Sequence, residues 1–213
     1  CRVQRKTLYF FFTIPFYMLG KVFIFFNLDN LNNDFSKCCN YLENLNIALD
    51  DEIIEVLYLA EDHRSDFHYG IDHYAILRAI YFTHVKKEFQ GASTVAQQFV
   101  RVITGRYERT LFRKLREQLL AVLITYEFNN KIIGTAYLNI AFLGSGMNGL
   151  TGFLRRKKIL LGQLNTLEKI KIVSRLKYPE PIKNKKIWSC KMKVRVGNIQ
   201  AKIVKYKSLP TSL

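Results

Sequence analysis

Apolar residues crowd the start of the chain, from Thr7 to Leu28 ("TLYFFFTIPFYMLGKVFIFFNL"), with Arg2, Arg5 and Lys6 just ahead of them. A run of about 22 residues can cross a bilayer as a helix, and basic residues before it favour a cytoplasmic N-terminus. Lys21 interrupts the run and Pro15 is placed to kink it, so a buried core segment is the competing reading. A cleaved signal peptide fits less well, because the stretch is long and no small-residue cleavage site follows. After a polar, Asn-rich stretch (Asp29 to Asn40) that reads as a linker, the apolar spacing turns helical. Leu42, Leu45, Ile53, Ile54 and Leu57 lead toward Glu61, and Asp72 is placed to cap a helix whose Ile76, Leu77, Ile80 and Val85 form a stripe. Ser93 and Thr94 start a third helix through Val95, Phe99 and Val102. The most regular one follows, about Glu108 to Phe128, with Leu111, Phe112, Leu115, Leu119, Val122 and Leu123 as its buried stripe. Lys131 to Ile140 forms another and leads into a loop punctuated by Gly144, Gly146 and Gly149; a last one, Thr166 to Lys177, is stopped by Pro179 and Pro181. No strand-rich stretch or repeat interrupts the sequence, so the fold class is mainly α.

This pattern divides the chain into a membrane anchor (residues 1–28), a linker (29–40), one globular domain (41–182) and a basic tail (183–213). The formal charge of +16 points to an anionic partner. It is unevenly placed: from Thr151 onward 17 Lys/Arg face only Glu168 and Glu180. The tail either touches anionic headgroups or is a poorly ordered terminus. It lacks interleaved aromatics for stacking bases, and with the anchor this argues against nucleic acid as partner. Cys1, Cys38, Cys39 and Cys190 have no metal-ligand spacing and leave the redox compartment undecided.

Candidate chemistry concentrates in three polar clusters: "AEDHRSDFHYGID" from Ala60, "QGASTVAQQFVR" from Gln90 and "RYERTLFRKLRE" from Arg106. Taken singly each has an ordinary structural reading. Glu61 and Asp62 suit a solvated helix terminus, Ser93 and Thr94 are ordinary N-cap residues, and an Arg-rich helix face is usually a salt-bridged surface. Together they place carboxylates at both ends, with hydroxyls, the amides of Gln97 and Gln98, and the cations Arg101, Arg109, Arg113 and Arg116 between. Arg109, Arg113, Arg116 and Glu117 recur at i, i+4, i+7 and i+8, which predicts one helix face presenting three guanidiniums and a carboxylate. That inventory suits deprotonation of an alcohol beside an anionic leaving group.

The clusters, in this order, resemble the signature of the peptidoglycan glycosyltransferases, the transglycosylase domain of class A penicillin-binding proteins and their monofunctional relatives. Glu61-Asp62 with His68, Gly70 and Asp72 is similar to E-D-x-x-F-x-x-H-x-G-x-D, and "QGASTVAQQFVR" to G-G-S-T-x-x-Q-Q-x-x-K. "RTLFRKLRE" from Arg109 resembles R-x-x-x-R-K-x-x-E, "AYLNIAFLGSGMNGL" from Ala136 the Y-L-N segment, and "LNTLEKIKIVSRLKYPEP" from Leu164 the fifth motif. The resemblance covers about Leu45 to Pro181. Departures stand at Ser65 (for Phe), Ala92 (for Gly), Arg101 (for Lys), Thr135 (for Glu), and at Lys169 and Ile170 (for small residues).

The resemblance implies a lysozyme-like helical head with a smaller membrane-proximal jaw, placed outside the cytoplasm on a single-pass anchor in the bacterial inner membrane. It implies polymerisation of lipid II with inversion and loss of polyprenyl pyrophosphate. Glu61 would be the general base and Glu117 the second catalytic carboxylate, positioning arginines or binding a divalent ion (Mg or Mn). Asp62, Ser93, Thr94, Gln97, Gln98, Arg101, Arg109, Arg113 and Arg116 would hold substrate and pyrophosphate. No nucleotide cofactor is expected; the partners are lipid II, the growing glycan, membrane lipid and other cell-wall synthesis proteins. The apolar residues of Tyr74 to Phe89 fit either a membrane-embedded groove or an ordinary core helix. Two other functions stand beside this one: a binding-only scaffold that has lost turnover, suggested by Ser65 and Thr135, and a glycan hydrolase, which would need no cationic cradle.

Overall fold

The structure, a computed structural model, describes residues 2–88 and 90–208; Cys1, Phe89 and the stretch 209–213 of the expected tail lie outside them. The mainly α expectation holds, for the helices run α1 (Arg2–Phe25), α2 (Leu31–Glu43), α3 (Asp51–Glu61), α4 (His73–Val85), α5 (Val95–Thr104), α6 (Leu111–Glu127), α7 (Asn130–Ile140), α8 (Gly149–Lys157), α9 (Thr166–Lys177) and α10 (Lys185–Lys207). Among the described residues the only β pairing is in isolated bridges. The chain forms two compact units, each discontinuous in sequence: residues 1–46 with 62–136, and 47–61 with 137–213.

In the first unit α6 is the central helix, packed on α1, α2 and α5. Its Leu119, Leu120, Leu123 and Ile124 are buried with Phe99 of α5 and with Leu31 and Cys38 of α2, each large side chain contributing roughly 1.5–3 kcal/mol by leaving water. The Asn-rich linker of the sequence reading is therefore largely helix α2, because Leu31, Cys38 and Leu42 supply a core stripe at helical spacing and Asp34 has a buried cation to meet. The α6 stripe is shorter than predicted. Leu111 is 91% exposed and Phe112 is exposed too, while Arg116 and Glu117 are buried in their stead through ion pairs. Thr110 accepts from the Arg113 amide as N-cap, so Arg109 precedes the helix rather than belonging to its face.

α1 is long and apolar enough to cross a membrane, with a mean hydropathy of 1.7 over its best window, and it exposes Phe11, Phe12, Met18 and Phe25. It is not free-standing. A Cβ on Gly20 would lie 3.0 Å from Leu123 Cδ1, Thr13 is buried, and the Tyr9 hydroxyl donates to Asp72 Oδ1 at 2.8 Å. Sequence alone predicts that removing residues 1–28 gives a soluble, folded domain. The packing adds a stability cost, since the α6 face and Asp72 lose partners. The truncated protein is expected to leave the membrane fraction and keep its helical circular dichroism, melting roughly 5 °C or more lower, since about 1 kcal/mol moves Tm by 2–4 °C at this size. An unfolded product, or an unchanged Tm, would contradict this.

The second unit packs α3, α9 and α10 against one another around Ile53, Leu57, Ile172, Val173, Met192 and Ile199. The basic stretch read as a tail is thus mostly a docked helix: Met192 and Ile199, seven apart, give it the apolar stripe that its lysine content hides. Two departures from the family pattern are absorbed here. Ile170 joins the core, and Lys169 is buried with its ammonium 2.6 Å from Asp50 and bonded to Glu52 at the start of α3.

Candidate active site

Glu61 ends α3, and its Oε1 accepts from Arg195 of α10 at 2.7 Å; the same guanidinium donates to the Ala60 carbonyl at 3.0 Å. The carboxylate is 14% exposed, so it is oriented by its partner and still reachable. Sequence reasoning missed Arg195, because one arginine in a lysine-rich stretch carries no spacing signal to a glutamate 134 residues earlier.

Asp62, expected to touch substrate, turns inward instead. Its Oδ1 pairs with His68 Nε2 at 2.8 Å and its Oδ2 accepts from the Val95 amide at 3.1 Å, holding the first turn of α5. Asp72 caps α4 by accepting from the Ala75 amide, and pairs with Arg64 at 2.7 Å. Asp62, His68 and Asp72 lie close enough to suggest a metal group. However, the carboxylate oxygens already serve Val95, Ala75, Tyr9, Arg64 and His68, so the motif's first half is a structural clasp.

Burial alone lowers the His68 pKa, but the Asp62 carboxylate beside it raises it on balance. A histidine whose pKa is raised by folding adds stability below its unfolded pKa, near 6.5, and loses it as pH climbs through the folded value. Because, among the described residues, His68 Nδ1 is a buried atom with no hydrogen-bond partner, the gain should be small. The stability difference between wild type and His68→Gln is expected to be larger at pH 6 than at pH 9. Urea titrations at both pH values measure it; a difference that grew with pH would refute the ion pair.

The second cluster is assembled at the N-terminus of α5. The Thr94 side chain caps the helix by accepting from the Gln97 amide, and donates to the Gly70 carbonyl at 2.7 Å. Gly70 has φ +82°, and a Cβ there would lie 2.5 Å from the Ala121 carbonyl oxygen, so only glycine allows this approach. Gln97, fully buried, donates to the same carbonyl at 3.2 Å and accepts from Lys114 at 2.6 Å. Thr94 and Gln97 thus fix the loop, while Gln98 is half-buried.

The third cluster centres on Glu117, whose side chain is only 3% exposed. It takes two bonds from the Arg101 fork, at 2.9 and 3.0 Å, one from Arg113, and one from Lys114 at 2.6 Å. Ser93 Oγ accepts from Lys114 at 2.9 Å and from Arg101 at 3.3 Å. Three cations thus share one carboxylate, leaving a local excess of two positive charges. Burial alone would raise the Glu117 pKa, but Arg101 and Lys114 hold it below the usual carboxylate range; burial pushes Lys114 down against the pull of Glu117. Lys114 was not among the expected site residues, although the R-K-x-x-E spacing sets it three residues from Glu117 and so on the same helix side.

Arg116 and Arg109 do not join this arrangement. Arg116 is 4% exposed and turns to Asp34 at 2.6 Å and to Asp29, while Arg109 is exposed and makes no ion pair among the described residues. A small cleft beside the cluster is lined by Arg101, Arg106, Arg113 and Glu117, with the flank of Arg116 at its wall. Fixed guanidiniums around a cleft suit phosphate oxygens. A metal ion fits poorly at Glu117, since both of its oxygens already accept from cations and another positive charge would meet three of them.

A mainly helical fold that carries a cationic cluster around Glu117 and, separately, a carboxylate at Glu61 held by an arginine suits an enzyme acting on an anionic substrate. Residues 42–194 match the transglycosylase family, and the chain belongs to it, as a peptidoglycan glycosyltransferase domain. It is 39% identical over 101 residues to penicillin-binding protein 1A of Aquifex aeolicus, covering 47% of this chain and 14% of that protein. It is 35% identical over 113 residues to penicillin-binding protein 1B of Vibrio cholerae, covering 52% and 14%, and 33% identical over 105 residues to penicillin-binding protein 1B of Escherichia coli, covering 48% and 12%. The matched region thus spans about one seventh of the length of the curated relatives it matches.

Proposed function

We propose that the chain polymerises lipid II at a membrane surface by an inverting glycosyl transfer. The observation that carries this reading is the cluster around Glu117, in which Arg101, Arg113 and Lys114 are fixed with excess positive charge before any ligand arrives. The 4-hydroxyl oxygen of the acceptor sugar attacks C1 of the donor sugar on the face opposite the diphosphate. The C1–O bond to phosphate breaks with its electron pair going to the leaving group, and the hydroxyl proton passes to the Glu61 carboxylate. Negative charge grows on the departing diphosphate, so cations already in place stabilise the transition state more than the ground state. Arg195 orients the base. Asp62, Thr94 and Gln97 act through the loops they hold, and no step is routed through a metal.

The membrane setting rests on two faces of the first unit. α1 exposes apolar residues along its length, and α4 exposes Tyr74, Leu77, Ile80, Tyr81 and Val85 while burying only Ala75. An apolar helix so poorly covered by protein is not an ordinary core helix; it suits contact with lipid.

The test is incubation of the detergent-solubilised full chain with fluorescent lipid II, followed by electrophoresis of the products. Glycan strands released with polyprenyl pyrophosphate are expected. Binding of lipid II without any product would favour the scaffold reading, and neither binding nor product would overturn both.

A further inference from the structure

α10 carries two apolar stripes, and the fold uses only one of them. Met192 and Ile199 are buried in the core that α10 shares with α3 and α9. Val194 and Ala201 each stand two residues further on, about 200° round the helix, and are exposed. With Ile187 and Cys190, also exposed, they form a second stripe at i, i+3, i+7 and i+14. Lysines border it on both sides: Lys186 and Lys193 along one edge, Lys191 and Lys205 along the other. These four are exposed and make no ion pair among the described residues. The helix contains seven lysines, one arginine and no acid, so nothing on α10 itself neutralises those edges.

From this placement we infer that the outer face of α10 docks in the plane of an anionic phospholipid surface, with the apolar stripe among the upper acyl chains and the lysines among the phosphates. An apolar strip between cationic edges needs a partner that is apolar within and anionic at its surface, and a bilayer of acidic lipid is both. A second copy of the chain fits poorly, because it would set lysine edges against lysine edges with no acid on either helix. Nor can α10 cross the bilayer, since eight cations in 23 residues are too many for a span. A bilayer is also the partner the chain brings within reach, because α1 is long and apolar enough to cross one. The inference rests on the polymerase reading only for its consequence. Arg195 of the same helix holds Glu61, so a docked α10 fixes the base at headgroup level, where a lipid-linked diphosphate lies.

Cys190 lies on the stripe and is an exposed free thiol, which makes it a probe of docking that needs no turnover. The full chain with Cys1→Ser and Cys39→Ser, in which Cys38 stays buried, is labelled there with a polarity-sensitive fluorophore. It is placed, one copy per disc, in nanodiscs of phosphatidylcholine alone or mixed with phosphatidylglycerol. Blue-shifted emission, quenched by lipids with a nitroxide high on the acyl chain, is expected in the mixed discs and only weakly in the others. A lysine near an anionic surface is worth about fivefold in affinity. Lys186→Gln/Lys191→Gln/Lys193→Gln/Lys205→Gln should therefore lower the docked fraction about tenfold or more, while arginine at the same four positions should keep it. An equal response in both lipids, or an unchanged one in the glutamine variant, would overturn the anionic-lipid face. A label open to water in every disc would overturn docking itself, and a shielded label without nitroxide quenching would replace the bilayer with a protein partner. In mixed discs the glutamine variant should also polymerise lipid II severalfold more slowly than wild type, with equal rates in detergent. Because label depth is read apart from turnover, a chain that docks yet makes no glycan refutes the polymerase reading alone. One that makes glycan without docking refutes this face alone.

Discussion

Replacing Glu61 by glutamine is expected to reduce glycan polymerisation by about 100-fold or more, because a positioned general base contributes roughly 10²–10⁴-fold and the amide cannot take the proton. The change keeps the shape of the side chain and its capacity to accept a hydrogen bond from Arg195, now 2.7 Å away, so the fold should stay intact. Stability should fall only slightly, since the pair is partly open to solvent. Initial rates with labelled lipid II, set beside melting curves for both proteins, measure the two effects separately. Near-wild-type turnover in the glutamine variant would remove Glu61 from the mechanism, whatever the resemblance of its motif.

Arg116→Ala and Lys114→Ala are expected to separate stability from turnover in opposite directions. As a run of residues, Arg109, Arg113 and Arg116 look alike, and the sequence reading expects substitution of Arg109 or Arg116 to lower turnover more than stability. The structure divides them. Arg116 is buried against Asp34, whose side chain is 6% exposed, and against Asp29. Removing one partner of a buried pair leaves a buried charge uncompensated, which costs about 3–5 kcal/mol. Arg116→Ala should therefore melt far below wild type, while the folded fraction polymerises at close to the normal rate. Lys114, by contrast, is 28% exposed and belongs to the cluster on Ser93, Gln97 and Glu117. Loss of a charge-assisted contact to the departing diphosphate is worth roughly 1.5–3 kcal/mol, or about 10- to 100-fold in rate. Parallel melting temperatures and rates per folded molecule decide the matter; a stable but inactive Arg116→Ala would return that residue to the diphosphate site.

How much of this was legible beforehand differs by kind of information. Residue types and spacing placed α5, α6 and α9 and the long apolar helix α1, and the order of the clusters pointed to the family. Those features are local: a 3.6-residue repeat, a capping threonine, a proline stop, and a signature written in consecutive residues. The sequence by itself therefore determined the helical class, the membrane-length helix and the family signature, and it named Glu61, Arg101, Arg113 and Glu117 as candidates without Lys114 or Arg195. Only the tertiary structure decided which opposite charge each of them meets. Asp62 became a clasp for His68 and the Val95 amide, Arg116 a buried partner of Asp34, and Lys114 a member of the cationic cluster on Glu117. It also turned the basic stretch into a docked helix whose Arg195 meets Glu61. The physical reason is that a charge's role depends on which opposite charge it meets, and here those partners lie 82 residues apart in the pair of Asp34 with Arg116, and 134 apart in that of Glu61 with Arg195. Periodicity along the chain carries no record of such distant encounters.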